Sequence, residues 1–109
     1  MAEVVLVATM KGKDGRGEAI EQAFEAAIEG SHSEAGCTYY ALHRDKGAPD
    51  TVVLVEVWAS EEAFASHMEE PWTQALMTNL EGLLDEPPAA VFLEPRVHGD
   101  ASKGRLATV

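Results

Sequence analysis

The chain has 109 residues, of which 46% are hydrophobic and 25% are charged, so it is long enough for one domain with a core and too short for two. Its 19 acidic and 8 basic residues give a formal net charge of −11, which argues against nucleic acid or an anionic membrane as a partner. The single cysteine, Cys37, excludes an internal disulfide, and together with the absence of a signal-peptide pattern after Glu3 it is typical of a cytoplasmic protein.

The first part of the chain predicts a strand, a helix and a hairpin. Residues Val4 to Met10 are apolar and β-branched, which is typical of a strand. Apolar residues at helical spacing, with glutamates opposite, predict a helix from Glu18 to about Ser31. A turn at Glu34 to Gly36 leads into a second strand, Cys37 to Arg44, and Asp45 to Asp50 is predicted to form the hairpin loop.

The third predicted strand, Thr51 to Ala59, carries a charge where a core residue is expected. Alternation places Glu56 on the same face as Leu54 and Trp58, and valines form the other face. An unpaired buried carboxylate is costly or is forced to hold its proton, so Glu56 needs a partner or a function. Two interpretations stay open: a structural role, in which Glu56 caps backbone amides or pairs with Arg44 across the hairpin, or a catalytic role.

Two helices and a last strand complete the domain. Ser60 is a candidate N-cap for a short helix, and Pro71 begins another helix whose apolar stripe is predicted to continue as far as Leu84. Residues Ala89 to Leu93 form a short apolar strand. The domain is therefore expected to span residues 1–95, and the polar residues 96–109 to be a tail that is disordered or lies on a neighbour.

The order of these elements, β-α-β-β-α-α-β, predicts an α+β fold with an antiparallel sheet and all helices on one face. The first and third strands are apolar on both faces, but the helices can cover only one. The uncovered face would exceed the apolar patch that monomers usually expose. A homodimer packed sheet against sheet is therefore expected.

The same elements and motifs resemble the antibiotic biosynthesis monooxygenase (ABM) family. The resemblance rests on Glu-Ala-Gly-Cys-x-x-Tyr at residues 34–40, and on Glu-x-Trp-x-Ser followed by a histidine at residues 56–67. Ala35 stands where the family usually has proline. The resemblance implies ferredoxin-like topology in a dimeric α+β barrel. It also implies an oxidation without metal or flavin cofactor, in which the anion of an electron-rich phenol or dihydroquinone reduces O2 directly.

Three side chains are candidates for the chemistry that this resemblance implies. His67 can act as a base or proton shuttle, Glu56 can orient the imidazole or accept a phenolic proton, and Tyr40 can hydrogen-bond a substrate oxygen. The walls of the pocket are expected to consist of Trp58, Phe64, Met68 and Trp72. Each residue also has a structural interpretation, such as packing for the aromatic rings and a backbone hydrogen bond for the histidine.

The expected function is a cofactor-independent monooxygenase that uses O2 to oxidise a quinol- or anthrone-like aromatic substrate. No metal site is expected, because the other histidines lack ligand spacing. Two alternatives stay open: a non-catalytic dimeric domain that binds a metabolite, for example in stress, and an isomerase of a small sugar phosphate. The isomerase would need a cationic clamp for its phosphate, and Arg44 is the only arginine inside the predicted elements.

Overall fold

The elements follow one another in the predicted order. The computed structural model describes residues 3–106, and this part of the chain contains four strands and three helices. Their bounds are β1 Val4–Lys11, α1 Gly17–His32, β2 Cys37–Asp45, β3 Ala48–Trp58, α2 Glu61–Glu69, α3 Pro71–Leu80 and β4 Ala89–Leu93. No helix among these is long and apolar enough to cross a membrane.

The four strands form one antiparallel sheet in the order β2-β3-β1-β4. The two central strands, β1 and β3, contain most of the buried strand residues, because each has a neighbouring strand on both edges. Helix α1 packs against β2, β3 and α3, so the helices lie on one face of the sheet. The predicted α+β fold with ferredoxin-like topology is confirmed.

The core lies between this face of the sheet and the helices. Helix α1 buries one side at intervals of three and four residues, and the strands bury alternate positions, as their periods require. Fully or almost fully buried side chains include Met10, Ile20, Phe24, Val52 and Leu54. Burial of each large apolar side chain contributes about 1.5–3 kcal/mol, so this layer is the main source of stability.

Helix α3 is shorter than its apolar stripe predicts. It ends at Leu80, whereas the sequence pattern continues to Leu84. Gly82 has a φ of 84°, a left-handed conformation that glycine adopts without strain and that ends the helix. The backbone then turns back so that Leu84 pairs with Gly12 next to β1. The prediction of a continuous helix to Leu84 is therefore wrong.

The hairpin between β2 and β3 is also tighter than predicted. Only Lys46 and Gly47 separate the two strands, instead of the predicted loop from Asp45 to Asp50. The extra residues form a bulge in β3, since Arg44 pairs with Val52 but the next residue of β2 pairs with Ala48. The Asp50 carboxylate holds the bulge in place by accepting hydrogen bonds from the backbone N–H groups of Gly15 and Gly17, at 2.9 and 2.8 Å.

The face of the sheet opposite the helices is apolar and only partly covered. Val7, Val53 and Val55 lie on it and are half-buried, and Val91 of β4 is 57% exposed. Beyond β4, residues 94–106 form neither helix nor strand, and Arg105 makes an ion pair with Glu3 beside the start of β1. The last three residues of the predicted tail, 107–109, lie outside the described residues.

Candidate functional site

A cavity of about 310 Å³ lies between the sheet and the helices. One row of paired residues crosses the sheet beneath it, from Tyr40 through Glu56 and Leu6 to Phe92, and all four side chains line the cavity. The other lining residues are mostly apolar, and they come from all three helices as well as from the strands. A larger groove of about 540 Å³ follows β2 on the surface, but no carboxylate lines it. The cavity beneath the helices, which contains the buried carboxylate of Glu56, is therefore the candidate site.

Glu56 lies in the middle of β3 and is only 6% exposed, as the alternation of the strand predicts. Its Oε1 accepts a hydrogen bond of 2.8 Å from the indole N–H of Trp58, two residues further on the same face. Burial raises the pKa of Glu56 above its usual value, although the indole hydrogen bond and the neighbouring His67 oppose the rise. The alternative of an ion pair with Arg44 is wrong, because that guanidinium binds Glu21 at 2.9 Å.

His67 lies on α2, which begins where the Ser60 hydroxyl accepts a hydrogen bond from the N–H of Ala63 at 3.1 Å. The imidazole is 3% exposed and lines the cavity. Its two nitrogens face different carboxylates. Nδ1 lies 2.9 Å from Oε2 of Glu34, and Nε2 lies 3.9 Å from Oε1 of Glu56. The histidine is therefore held between two acids, with only one of them at hydrogen-bond distance.

Glu34 is a site residue that sequence reasoning missed. It lies in the turn between α1 and β2, and its side chain is 9% exposed. The same Oε2 that faces His67 accepts a second hydrogen bond of 2.8 Å from the indole N–H of Trp72. The available signal is its position at the start of the Glu-Ala-Gly-Cys motif, which predicts a turn and the family resemblance but no contact with the site. A second missed residue is Thr73, whose buried hydroxyl lies 3.4 Å from Nδ1 of His67.

Tyr40 lies next to Glu56 and His67 and is 3% exposed. Its ring packs edge-on against His67, with 5.5 Å between the ring centroids, and against Trp58 at 6.4 Å. Burial, and then the carboxylate of Glu56, raise the pKa of Tyr40 far above its usual value. The phenol is therefore neutral and can donate a hydrogen bond.

The structure brings together five of the seven predicted site residues on the cavity surface. These are Tyr40, Glu56, Phe64, His67 and Met68. The two tryptophans lie outside the lining and each supports an acid instead. Trp58 is completely buried, with its ring 4.2 Å from that of His67, while Trp72 packs against α1.

The mouth of the cavity is apolar. Phe64 and Phe92 meet there edge to face, with 5.7 Å between their centroids. Phe92 is 60% exposed, and Met68 and Met77 are also exposed at their outer edges. Flat, apolar molecules suit such an opening, because aromatic rings stack on aromatic rings and methionine adapts its shape.

The site offers little to a metal ion or an anion. Within residues 3–106 no group of three or more histidine, cysteine, aspartate or glutamate side chains is arranged to hold a metal. Among the lining residues, all of which belong to the described part of the chain, His67 is the only basic side chain. The arrangement can take up and release a proton in an apolar environment.

Comparison with known proteins relates the chain to one family of sequences and to several solved structures. A sequence model of the family described as antibiotic biosynthesis monooxygenase matches residues 3–79. A protein from Pseudomonas aeruginosa is 26% identical, with 90% of this chain and 97% of that chain covered and a TM-score of 0.81. A protein from Mycobacterium tuberculosis is 23% identical, with 91% and 100% covered and a TM-score of 0.82. A structure described as an antibiotic biosynthesis monooxygenase is 18% identical, with 84% and 96% covered and a TM-score of 0.77.

These comparisons differ in what they establish. No curated protein matches the chain at a significant level. The structures of lower identity show a shared fold, and a fold alone does not determine a reaction. The sequence match covers most of the chain, from β1 almost to the end of α3. It includes Glu34, Glu56 and His67, which we call the acid–histidine cluster. The chain belongs to the antibiotic biosynthesis monooxygenase family.

Proposed function

We propose that the protein is a cofactor-independent monooxygenase that oxidises a quinol- or anthrone-like aromatic substrate with O2. The observation that carries the proposal is a buried imidazole, His67, at the wall of an otherwise apolar cavity, with the Glu56 carboxylate 3.9 Å from its Nε2. Such a cavity admits a flat ring, keeps water away, and presents a base to a phenolic hydroxyl.

The proposed reaction begins with proton transfer. His67 takes the proton of the substrate hydroxyl, and the resulting anion gives one electron to O2. The substrate radical and superoxide combine at the ring carbon that becomes oxidised, and the resulting peroxide anion takes the proton back from His67 to form a hydroperoxide. Loss of water then leaves a new carbonyl group. For an anthrone, the ring CH2 becomes C=O, one oxygen atom of O2 enters the product and the other leaves as water, so four electrons pass from the carbon to O2.

The surroundings of the base support this sequence of steps. The raised pKa of Glu56 allows this carboxyl group to hold a proton at the cavity wall, where it can exchange that proton with a bound substrate. The neutral phenol of Tyr40 can donate a hydrogen bond to a substrate oxygen that becomes negative. The low polarity of the remaining wall strengthens both interactions.

The two alternative functions require different chemical groups in the same cavity. A sugar-phosphate isomerase needs cationic groups around the phosphate, but Arg44 lies outside the lining and binds Glu21. A domain that only binds a metabolite needs the apolar wall but no base. The acid–histidine cluster, which is costly to bury, therefore favours the monooxygenase.

Oxygen consumption with a panel of reduced quinones and anthrones tests the proposal. Wild-type protein should consume O2 and release the oxidised product, and His67→Gln should reduce the rate about 100-fold or more, the usual contribution of a general base. His98→Gln, an exposed histidine of the tail, is the matched control and should leave the rate unchanged. Binding of these compounds without oxygen uptake would support the metabolite-binding domain instead.

We also propose that the protein is a homodimer in which the outer faces of two sheets pack together. The half-buried valines of β1 and β3 and the exposed Val91 supply the apolar surface that such packing buries. Light scattering during size-exclusion chromatography should give twice the mass of the chain. Val91→Lys should weaken the dimer, whereas Gln22→Lys on the exposed side of α1, which lies on the other face of the sheet, should not. A monomer at micromolar wild-type concentration would refute this assembly.

A further inference from the structure

The two nitrogens of His67 have unequal partners, and this inequality determines where its hydrogen lies. Nδ1 is within hydrogen-bond distance of Oε2 of Glu34, at 2.9 Å, whereas Nε2 is 3.9 Å from the nearest oxygen of Glu56. An ionised carboxylate only accepts hydrogen bonds, so the Nδ1 nitrogen must be the donor. In the neutral ring the lone pair then belongs to Nε2.

The contact with Trp72 shows that Oε2 of Glu34 acts as a hydrogen-bond acceptor. The indole N–H of Trp72 can only donate, and it lies 2.8 Å from the same Oε2. Oε2 of Glu34 thus accepts from the indole and faces Nδ1 of His67 at the same time, which is the arrangement expected of an acceptor oxygen. Trp72 is itself fixed, because its ring packs directly on the backbone of α1 at Gly30.

Glu34 cannot act on a ligand directly. It does not line the cavity, and the imidazole of His67 lies between it and the apolar space. The other groups that face this imidazole do not replace it: Glu56 is beyond hydrogen-bond distance, Tyr40 contacts it with its ring, and the hydroxyl of Thr73 lies at 3.4 Å. Any effect of Glu34 on the chemistry must therefore pass through His67.

We propose that Glu34, held by Trp72, is a positioning residue that keeps neutral His67 in the Nδ1–H tautomer and so leaves Nε2 free to accept a proton from a substrate in the cavity. The tautomer follows from the geometry alone, while its use as a base depends on the proposed oxidation. When Nε2 takes the proton, the imidazolium lies between the carboxyl groups of Glu34 and Glu56 and beside the ring of Trp58, 4.2 Å away.

Nitrogen NMR of the full chain without substrate tests the tautomer. Free histidine prefers the Nε2–H form, so an Nδ1–H signal from His67 at a pH where the ring is neutral would show the effect of its surroundings. The signal is assigned by its loss in His67→Gln. The expected wild-type spectrum has a protonated Nδ1 and an unprotonated Nε2. The reverse pattern would overturn the proposal, and this measurement needs no variant of Glu34.

Variants of Glu34 then test the cause. Glu34→Ala should shift His67 toward the Nε2–H form, whereas Glu34→Gln, whose amide oxygen still accepts, should retain the Nδ1–H form. Glu29→Ala, an exposed glutamate of α1, is the control and should change nothing. An unchanged tautomer in folded Glu34→Ala would overturn the assignment of Glu34.

Kinetics separates this inference from the proposed function. With a substrate that supports oxygen uptake, Glu34→Ala should lower kcat about tenfold or more, within the range of general-base effects, and change KM little. Glu34→Gln should recover part of this loss. The expected tautomer without oxygen uptake for any substrate would refute the oxidation and retain the positioning of His67. Normal kcat in a variant that has lost the tautomer would refute the role of Glu34.

Discussion

Replacing Gly30 with alanine tests how closely Trp72 is seated against α1. A Cβ atom at this position would lie 2.3 Å from Cδ2 and 2.4 Å from Cγ of the indole, where ordinary contact begins near 3.4 Å. The ring must therefore move by about 1 Å. Such a shift takes the indole N–H, now 2.8 Å from Glu34, out of good hydrogen-bond range.

The free energy of unfolding should fall, although alanine is the better helix former. In a helix, alanine is favoured over glycine by about 0.5–1 kcal/mol. Overpacking costs about 1–3 kcal/mol. Loss of a hydrogen bond to a charged group costs about 1.5–3 kcal/mol. We therefore expect Gly30→Ala to destabilise the protein by about 2–5 kcal/mol, since the two costs exceed the gain.

Urea unfolding of a double-mutant cycle measures this effect. In the Trp72→Ala background the added methyl group meets no ring and breaks no hydrogen bond. There Gly30→Ala should stabilise the protein by about 0.5–1 kcal/mol, so the sign of the effect reverses. Equal stabilisation in both backgrounds would refute the close contact between Gly30 and Trp72.

Three further outcomes follow from the site and its supports. Burial raises the pKa of Glu56 above its usual value of 4.5, so the native state binds the carboxyl proton more tightly than the unfolded state does. The free energy of unfolding should therefore fall as the pH rises from 4.5 through the native pKa of Glu56. Glu56→Gln should flatten this part of a urea-unfolding pH series, and an unchanged slope would contradict the shift. Ser60→Ala should cost about 1 kcal/mol in the same assay, because α2 loses its N-cap, and an unchanged midpoint would argue against that cap. Burial also raises the pKa of Cys37 to about 11 from 9.0, so iodoacetamide at pH 8 should alkylate the native thiol about a hundredfold more slowly than the unfolded one. Equal rates would refute that prediction.

The parts of the site that local periodicity controls could be predicted from the sequence. The two-residue period of β3 places Glu56 inward, and the helical spacing of α2 puts Phe64 and His67 on one side. The same two-residue period also indicates the hydrogen-bond partner of Glu56. Trp58 follows on the same face, whereas Arg44 pairs with Val52 and is too far along the sheet.

The contacts of Glu34 depend on tertiary packing and leave no local pattern. His67 and Trp72 lie 33 and 38 positions further along the chain, and they meet Glu34 only because α2 and α3 pack over the turn before β2. The same limit applies to the end of α3. Leucine spacing after Leu80 suits a helix, but the left-handed Gly82 turns the backbone away.

The lining of the cavity comes partly from the centre of the sheet and partly from its edge strand, and the two parts can be changed separately. The groups that handle protons lie on β3 and α2, whereas Ala90 and Phe92 belong to β4, a five-residue edge strand in which every residue is exposed. Substitutions in this strand can widen or narrow the entrance while the acid–histidine cluster stays intact. For the proposed oxidation, a library restricted to Ala90 and Phe92 should therefore alter which ring sizes are accepted.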